Sequence, residues 1–197
     1  MKRPFVLAAC ILPLLGGNAM GQTNIVPDPL PRLPPQPGQG LPLEDVRFIE
    51  QGIDYSTIQI EIGELAVERA SDEAVRQLGS QVATDHEQIS QKLTELAQQR
   101  SVEVSARPSH EAWRETIDQL QGQSGEDFER AFLGVQLKIG QQLVKLYQIQ
   151  ASNSTDTGLA SFAITTLVHV EQHFTTAQRL GAQYGLSVET VEQPPQY

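Results

Sequence analysis

Three side chains stand out because their chemistry conflicts with their neighbours. Glu61 lies between Ile58, Ile62 and Leu65; His86 falls four residues after Val82 and three before Ile89; His173 falls three after Val170 and four before Ala177. At 3.6 residues per turn those apolar neighbours share a helix face with the polar residue, so all three polar groups are predicted to point inward. An ionisable group on an apolar face costs free energy unless something satisfies it. Two imidazoles and a carboxylate are ligand types of Zn(II), Fe(II) and Mn(II), so one solution is a transition metal, with Fe, Mn or Zn as the expected cofactor. His169, one turn before His173, adds a ring nitrogen at i, i+4 spacing, and Asp85 is placed to ligate or to orient a neighbouring histidine. The other solution is a core whose buried His and Glu are satisfied internally. The residues alone leave both open.

Spacing removes the alternatives. The di-iron pattern of helical bundles needs Glu-x-x-His on two helices, and no histidine here has a glutamate three residues before it. His169-Val-Glu-Gln-His173 resembles a zinc-protease helix, but there the glutamate follows the first histidine directly. Gly-rich phosphate loops and nucleophile elbows are absent from the sequence, and His110 belongs to a surface helix. No catalytic residue is assigned; the expected function is a non-catalytic interaction or stress-related module, with metal or oxidant buffering through Glu61, His86 and His173 as the alternative.

The elements that must position these residues are helices. The first is expected from Glu44 to about Ala70, and the second follows a cap at Ser71 or Asp72 and carries Val75, Leu78, Val82, His86, Ile89, Leu93 and Leu96 in steps of three and four. The third runs from about Glu126 to Ala151, with Phe128, Phe132, Val135, Ile139, Leu143 and Leu146. The fourth runs from about Asp156 to Tyr184, with Leu159, Phe162, Thr166, Val170, His173, Ala177 and Leu180. One-sided stripes of this length bury best against one another. The prediction is therefore an all-α, antiparallel four-helix bundle over residues 44–184. A short extra helix between the second and third, carrying Trp113, Ile117 and Leu120, is expected to cap one end. Val82, Leu93, Val135 and Phe162 are predicted core residues. The short turn at Ser71 sets the register of the first two helices. It leaves Glu61 and His86 about five residues, or about 7 Å, out of level, with His86 and His173 expected within about 8 Å of each other.

The ends read differently. Residues 1–21 have the form of a signal peptide: Lys2 and Arg3, an apolar run from Phe5 to Leu15, then Ala19-Met20-Gly21, which places cleavage before Gln22 or after Ala19. Leu7-Ala8-Ala9-Cys10 also fits a lipoprotein signal, although few apolar residues precede Cys10. Residues 22–43 hold seven prolines and read as a linker; 185–197, with Pro194 and Pro195, read as a tail. Export to the periplasm or cell envelope follows. If Cys10 leaves with the leader, no cysteine remains for disulfides or thiolate ligation. Lys2 and Arg3 leave too, so 14 basic residues become 12 against 24 acidic, a net −12. That charge repels nucleic acid; a partner is expected to be an envelope protein, and no transmembrane span is predicted in the mature chain.

Glu61-Ile-Gly-Glu-Leu-Ala66, Val82-Ala-Thr-Asp-His86, Phe128 with Phe132, and Gln172-His173-Phe174 together resemble the bacterial domain-of-unknown-function family 4142. These are exported, ferritin-like four-helix proteins often labelled predicted outer-membrane proteins. The resemblance covers roughly residues 46–182. It implies that the family's inward glutamate corresponds to Glu61 and its second- and fourth-helix histidines to His86 and His173. Two departures stand out. This chain has Gln59 where a second glutamate is common, and Ile139-Gly140 where the third helix commonly carries Asp-His, which makes any metal site a reduced one.

Overall fold

The computed structural model describes residues 40–104 and 109–189, without the side chains of 109–112. The expected leader, Cys10, almost all of the proline-rich segment, the side chain of His110 and the last residues of the expected tail lie outside the described residues. Five helices follow in order: α1 Leu43–Arg69, α2 Glu73–Gln99, α3 Ser109–Gln121, α4 Gly125–Asn153 and α5 Thr157–Gly181, with a 3-10 turn at Ala182–Tyr184. No strand occurs among the described residues. The four long helices are those expected, each within two or three residues of its predicted ends.

Local chemistry starts them where they start. The Asp72 carboxylate accepts from the Ala74 and Val75 amides, and Asp156 accepts from Leu159 N, so α2 and α5 each begin on a side-chain cap. The turn between α1 and α2 lacks a local partner for two amides. Glu129 of α4 supplies it: one carboxylate oxygen accepts from Ser71 N and Asp72 N, both at 2.7 Å, and the other accepts from the Tyr184 hydroxyl at 2.8 Å.

Cross-helix contacts fix the topology. Gln59 and Gln136 exchange amide hydrogen bonds, and Gln150 donates to Asp45, so α1 and α4 run antiparallel. Arg100 at the end of α2 pairs with Asp156 at the start of α5. Gly140 of α4 lies against Phe174 of α5. Every long helix is thus antiparallel to its neighbours in an α1–α2–α5–α4 square. The chain from α2 to α4 must cross the length of the bundle, as in ferritin-like bundles with one long crossover. This corrects one expectation. Trp113, Ile117 and Leu120 of α3 are buried as predicted, but they pack along the side of α1 and α4 rather than over an end.

The core is aliphatic and aromatic. Val82 and Leu93 are fully buried and Val135 nearly so, as expected. Phe162 is only half-buried: its ring meets Phe48 edgewise and Tyr147 at a tilt while its outer side lines a surface cleft. The α1–α2 contact brings backbone against backbone. A Cβ on Gly63 would lie 2.6 Å from the carbonyl oxygen of Gly79, and one on Gly79 would lie 2.5 Å from Cβ of Ala66, so the two backbones touch through paired glycines.

Candidate functional site

That close approach sets the register at which His86 meets α1. His86 is fully buried, and its Nδ1 lies 3.2 Å from Ser56 Oγ. The Ser56 hydroxyl has one proton and gives it to the carbonyl of Gly52 at 2.7 Å. The contact with His86 must therefore be a donation from Nδ1–H to the serine oxygen. That fixes the tautomer and leaves the lone pair on Nε2, which is buried with no partner.

His173 of α5 is arranged in the same sense with its nitrogens exchanged. Its Nε2 lies 2.8 Å from Asp85 Oδ2 on α2. A carboxylate only accepts, so Nε2 carries the proton and Nδ1 the lone pair, and Nδ1 too is buried without a partner. The two ring centroids are 6.0 Å apart, with planes inclined by 42°. The expected approach of His86 to His173 is met. Asp85, one residue before His86 in sequence, reaches across to His173 rather than to its own neighbour. His169 sits outside, with Nδ1 3.8 Å from the same Asp85 oxygen and its side chain 57% exposed.

Electrostatics agree with this proton assignment. Burial pushes the His86 imidazole down to about 3, the nearby His173 adds to the depression, and Asp85 opposes it. Burial also lowers His173, against its hydrogen bond to Asp85, which favours the charged form. Both rings are neutral at pH 7, as lone-pair donors must be. Asp85 and His169 form one wall of a cleft of about 360 Å³ between α2 and α5, which Lys92, Phe162, Thr165 and Thr166 also line. The carboxylate thus separates open solvent from the buried pair.

Glu61 is placed differently from the two histidines. It is half-buried on α1, and the α1 residue level with His86 is Ser56, five residues away, or about 7.5 Å along the axis. Among the described residues no group of three His, Cys, Asp or Glu side chains is placed to hold one ion, so the two histidines do not share a common point with Glu61. The donor set of a ferritin-like di-iron centre does not fit here. On α4, a Cβ at Gly140 would lie 2.7 Å from the ring of Phe174, so phenylalanine fills the space a side chain at 140 would need. Ser56 and Phe174 are the two participants that sequence reasoning missed. The signal for Ser56 was available: Gly52, Ser56, Gln59 and Gly63 form a small and polar strip beside the buried Ile49, Ile58 and Ile62 of α1.

Fold and site together define a helical-bundle protein with a buried, neutral histidine pair at mid-core. The chain belongs to the family described as Domain of unknown function (DUF4142), whose model matches residues 31–180. Among solved structures it is similar to a DUF305 fragment from Deinococcus radiodurans, with 14% identity and a TM-score of 0.65 over 74% of this chain and 99% of that one. At that identity the likeness speaks for the fold alone. No curated protein matches the sequence.

Proposed function

We propose that this is an exported, non-catalytic bundle of the cell envelope that binds a transition-metal ion in its core through His86 and His173. One observation carries the reading: two buried imidazoles, 6.0 Å apart, each offer a lone-pair nitrogen that no group among the described residues satisfies. A buried acceptor without a donor costs roughly 1–3 kcal/mol, and here the cost falls on two neighbouring groups. Metal-binding histidines are commonly oriented through the opposite ring nitrogen by a carboxylate or another oxygen. Asp85 behind His173 and Ser56 behind His86 have that relation. Glu61 completes the expected ligand set only through a rearrangement of its side chain. The pair lies behind Asp85 rather than on the cleft surface, which suits holding an ion better than turning over a substrate.

Metal analysis of the full chain purified from its own cells tests this. About one ion per chain is expected, lost in both His86→Gln and His173→Gln; protein without bound metal would overturn it. Export rests on the leader, and intact mass should begin at Gln22; an acylated Cys10 would replace that processing with a lipid anchor. A second reading, an interaction module acting through its surface, is favoured by Ile164 and Val168, one turn apart on α5 and 56% and 63% exposed. Under that reading the histidine variants leave function unchanged while charged substitutions at 164 and 168 abolish it.

A further inference from the structure

We infer that the His86–His173 pair is built for a monovalent d10 ion, copper(I) or silver(I), held by two ring nitrogens in a two-coordinate arrangement. The inference rests on the metal-binding reading above and narrows it to a class of ion.

The donor count comes first. His86 Nε2 and His173 Nδ1 each expose less than 1 Å², and no third His, Cys, Asp or Glu among the described residues joins them. Zn(II) takes four ligands almost without exception, and Fe(II) or Mn(II) sites add carboxylate and open positions for further ligands. Here the nearest carboxylate, Asp85, is already bonded to the outer nitrogen of His173, and Phe174 occupies the α4 side where a donor at 140 would stand. Two-coordination is ordinary for d10 monovalent ions and foreign to the divalent ones.

The span agrees. From ring centre to nitrogen is about 1.2 Å and from nitrogen to metal about 2.0 Å, so an ion on both ring axes can bridge centroids at most about 6.4 Å apart, and about 5.2 Å at a tetrahedral angle. The observed 6.0 Å falls between these two limits, so one ion met by both ring axes would be held at an angle of about 140°.

Charge decides between the ions most sharply. The cost of desolvating an ion rises with the square of its charge, so a divalent ion in this core is about four times as costly to bury as a monovalent one. Two neutral imidazoles return no charge. Asp85 supplies one negative charge behind His173, which balances one positive charge and leaves a second unmatched. Asp85 and His169 on the cleft wall also give the ion a route inward: the exposed ring and the carboxylate oxygen lie 3.8 Å apart, and the same oxygen is 2.8 Å from His173.

The test uses the full chain carrying Cys10→Ser, so that the thiol does not compete. Silver(I) nitrate in chloride-free buffer and zinc(II) sulfate are titrated in parallel. Stoichiometry is read by native mass spectrometry, and the binding atoms by ¹⁵N shifts of the histidine rings. The expected result is one silver ion per chain, shifts at His86 Nε2 and His173 Nδ1, and zinc binding weaker by at least ~100-fold. Zinc bound at the same two nitrogens as tightly as silver would overturn the ion class and leave the metal-binding reading standing. If neither ion moves those nitrogens, both fall. The spectra of the otherwise unaltered chain carry the result, so a misfolded variant cannot blur it. A His169→Asn chain should bind silver with the same stoichiometry but take it up more slowly; loss of binding in that chain would put the site at the surface and overturn the buried assignment.

Discussion

Acidification should destabilise this protein well above the carboxylate range, and His86 should account for a measurable share of the loss. Its imidazole is buried and held down to about 3, whereas in the unfolded chain it takes a proton near its ordinary value of 6.5. The unfolded state therefore binds more protons as the pH falls below 6.5, and stability falls with it until the folded form also protonates near 3. Each pH unit inside that window is worth a little over 1 kcal/mol. From pH 7 to pH 5 the His86 contribution comes to about 2 kcal/mol, and across the whole window to something on the order of 4 kcal/mol. The lowered His173 acts in the same direction. The assay is urea unfolding at pH 7, 6 and 5 in the presence of a chelator, for the native sequence and for His86→Leu. Carboxylates titrate in both proteins, so the difference between the two pH slopes isolates the imidazole. The native chain should lose about 2 kcal/mol more than the variant between pH 7 and pH 5. Parallel slopes would mean that His86 is solvated in the folded state, and the buried-pair geometry would be wrong.

Three further changes test the packing. Gly63→Ala should lower stability by about 1–3 kcal/mol even though alanine is the better helix former, because the new methyl meets the Gly79 carbonyl; a raised melting temperature would contradict the backbone contact. Tyr147→Phe should be neutral or stabilising by up to about 1 kcal/mol, since the buried hydroxyl has no partner to lose, and a clear loss in urea midpoint would reveal one. Asp156→Ala removes both the cap of α5 and the partner of Arg100, a pair with side chains 17% and 19% exposed, and should cost about 1–3 kcal/mol at pH 7 by urea unfolding; an unchanged midpoint would make the pair ornamental.

Helices and their inward faces were legible because a stripe in steps of three and four is a local property of sequence. His86 and His173 could be picked out for the same reason: each interrupts such a stripe, and interruption is visible one helix at a time. What joins them was not. The partner of His86 is Ser56, and its choice depends on how far α1 slides along α2, which the paired glycines at 63 and 79 decide. The short turn at Ser71 predicts the same slide, with Glu61 five residues from the α1 position that faces His86. The α1 position level with His86 belongs to Ser56, so Glu61 stands about one and a half turns away from it along the helix. The position of α3 escaped for a similar reason. Its buried face is evident from Trp113, Ile117 and Leu120, but whether such a helix closes an end or runs along a side depends on the direction of α4 relative to α2.

The carboxylate of Glu129 has a consequence for how the chain folds. Helical hairpins usually complete their turns from their own residues, and so can form early and independently. Here the amides of Ser71 and Asp72 wait for an acceptor 57 and 58 positions downstream, and that acceptor is also bound by Tyr184, which follows α5. The first hairpin therefore cannot finish its own corner until the second has docked, and the second gains its last bond from the same event. Sequence-distant closure of this kind slows the search for the native state but ties the halves into one cooperative transition. Amides of the α1–α2 corner should then exchange with solvent only when the whole bundle opens, although they sit at a turn near the surface.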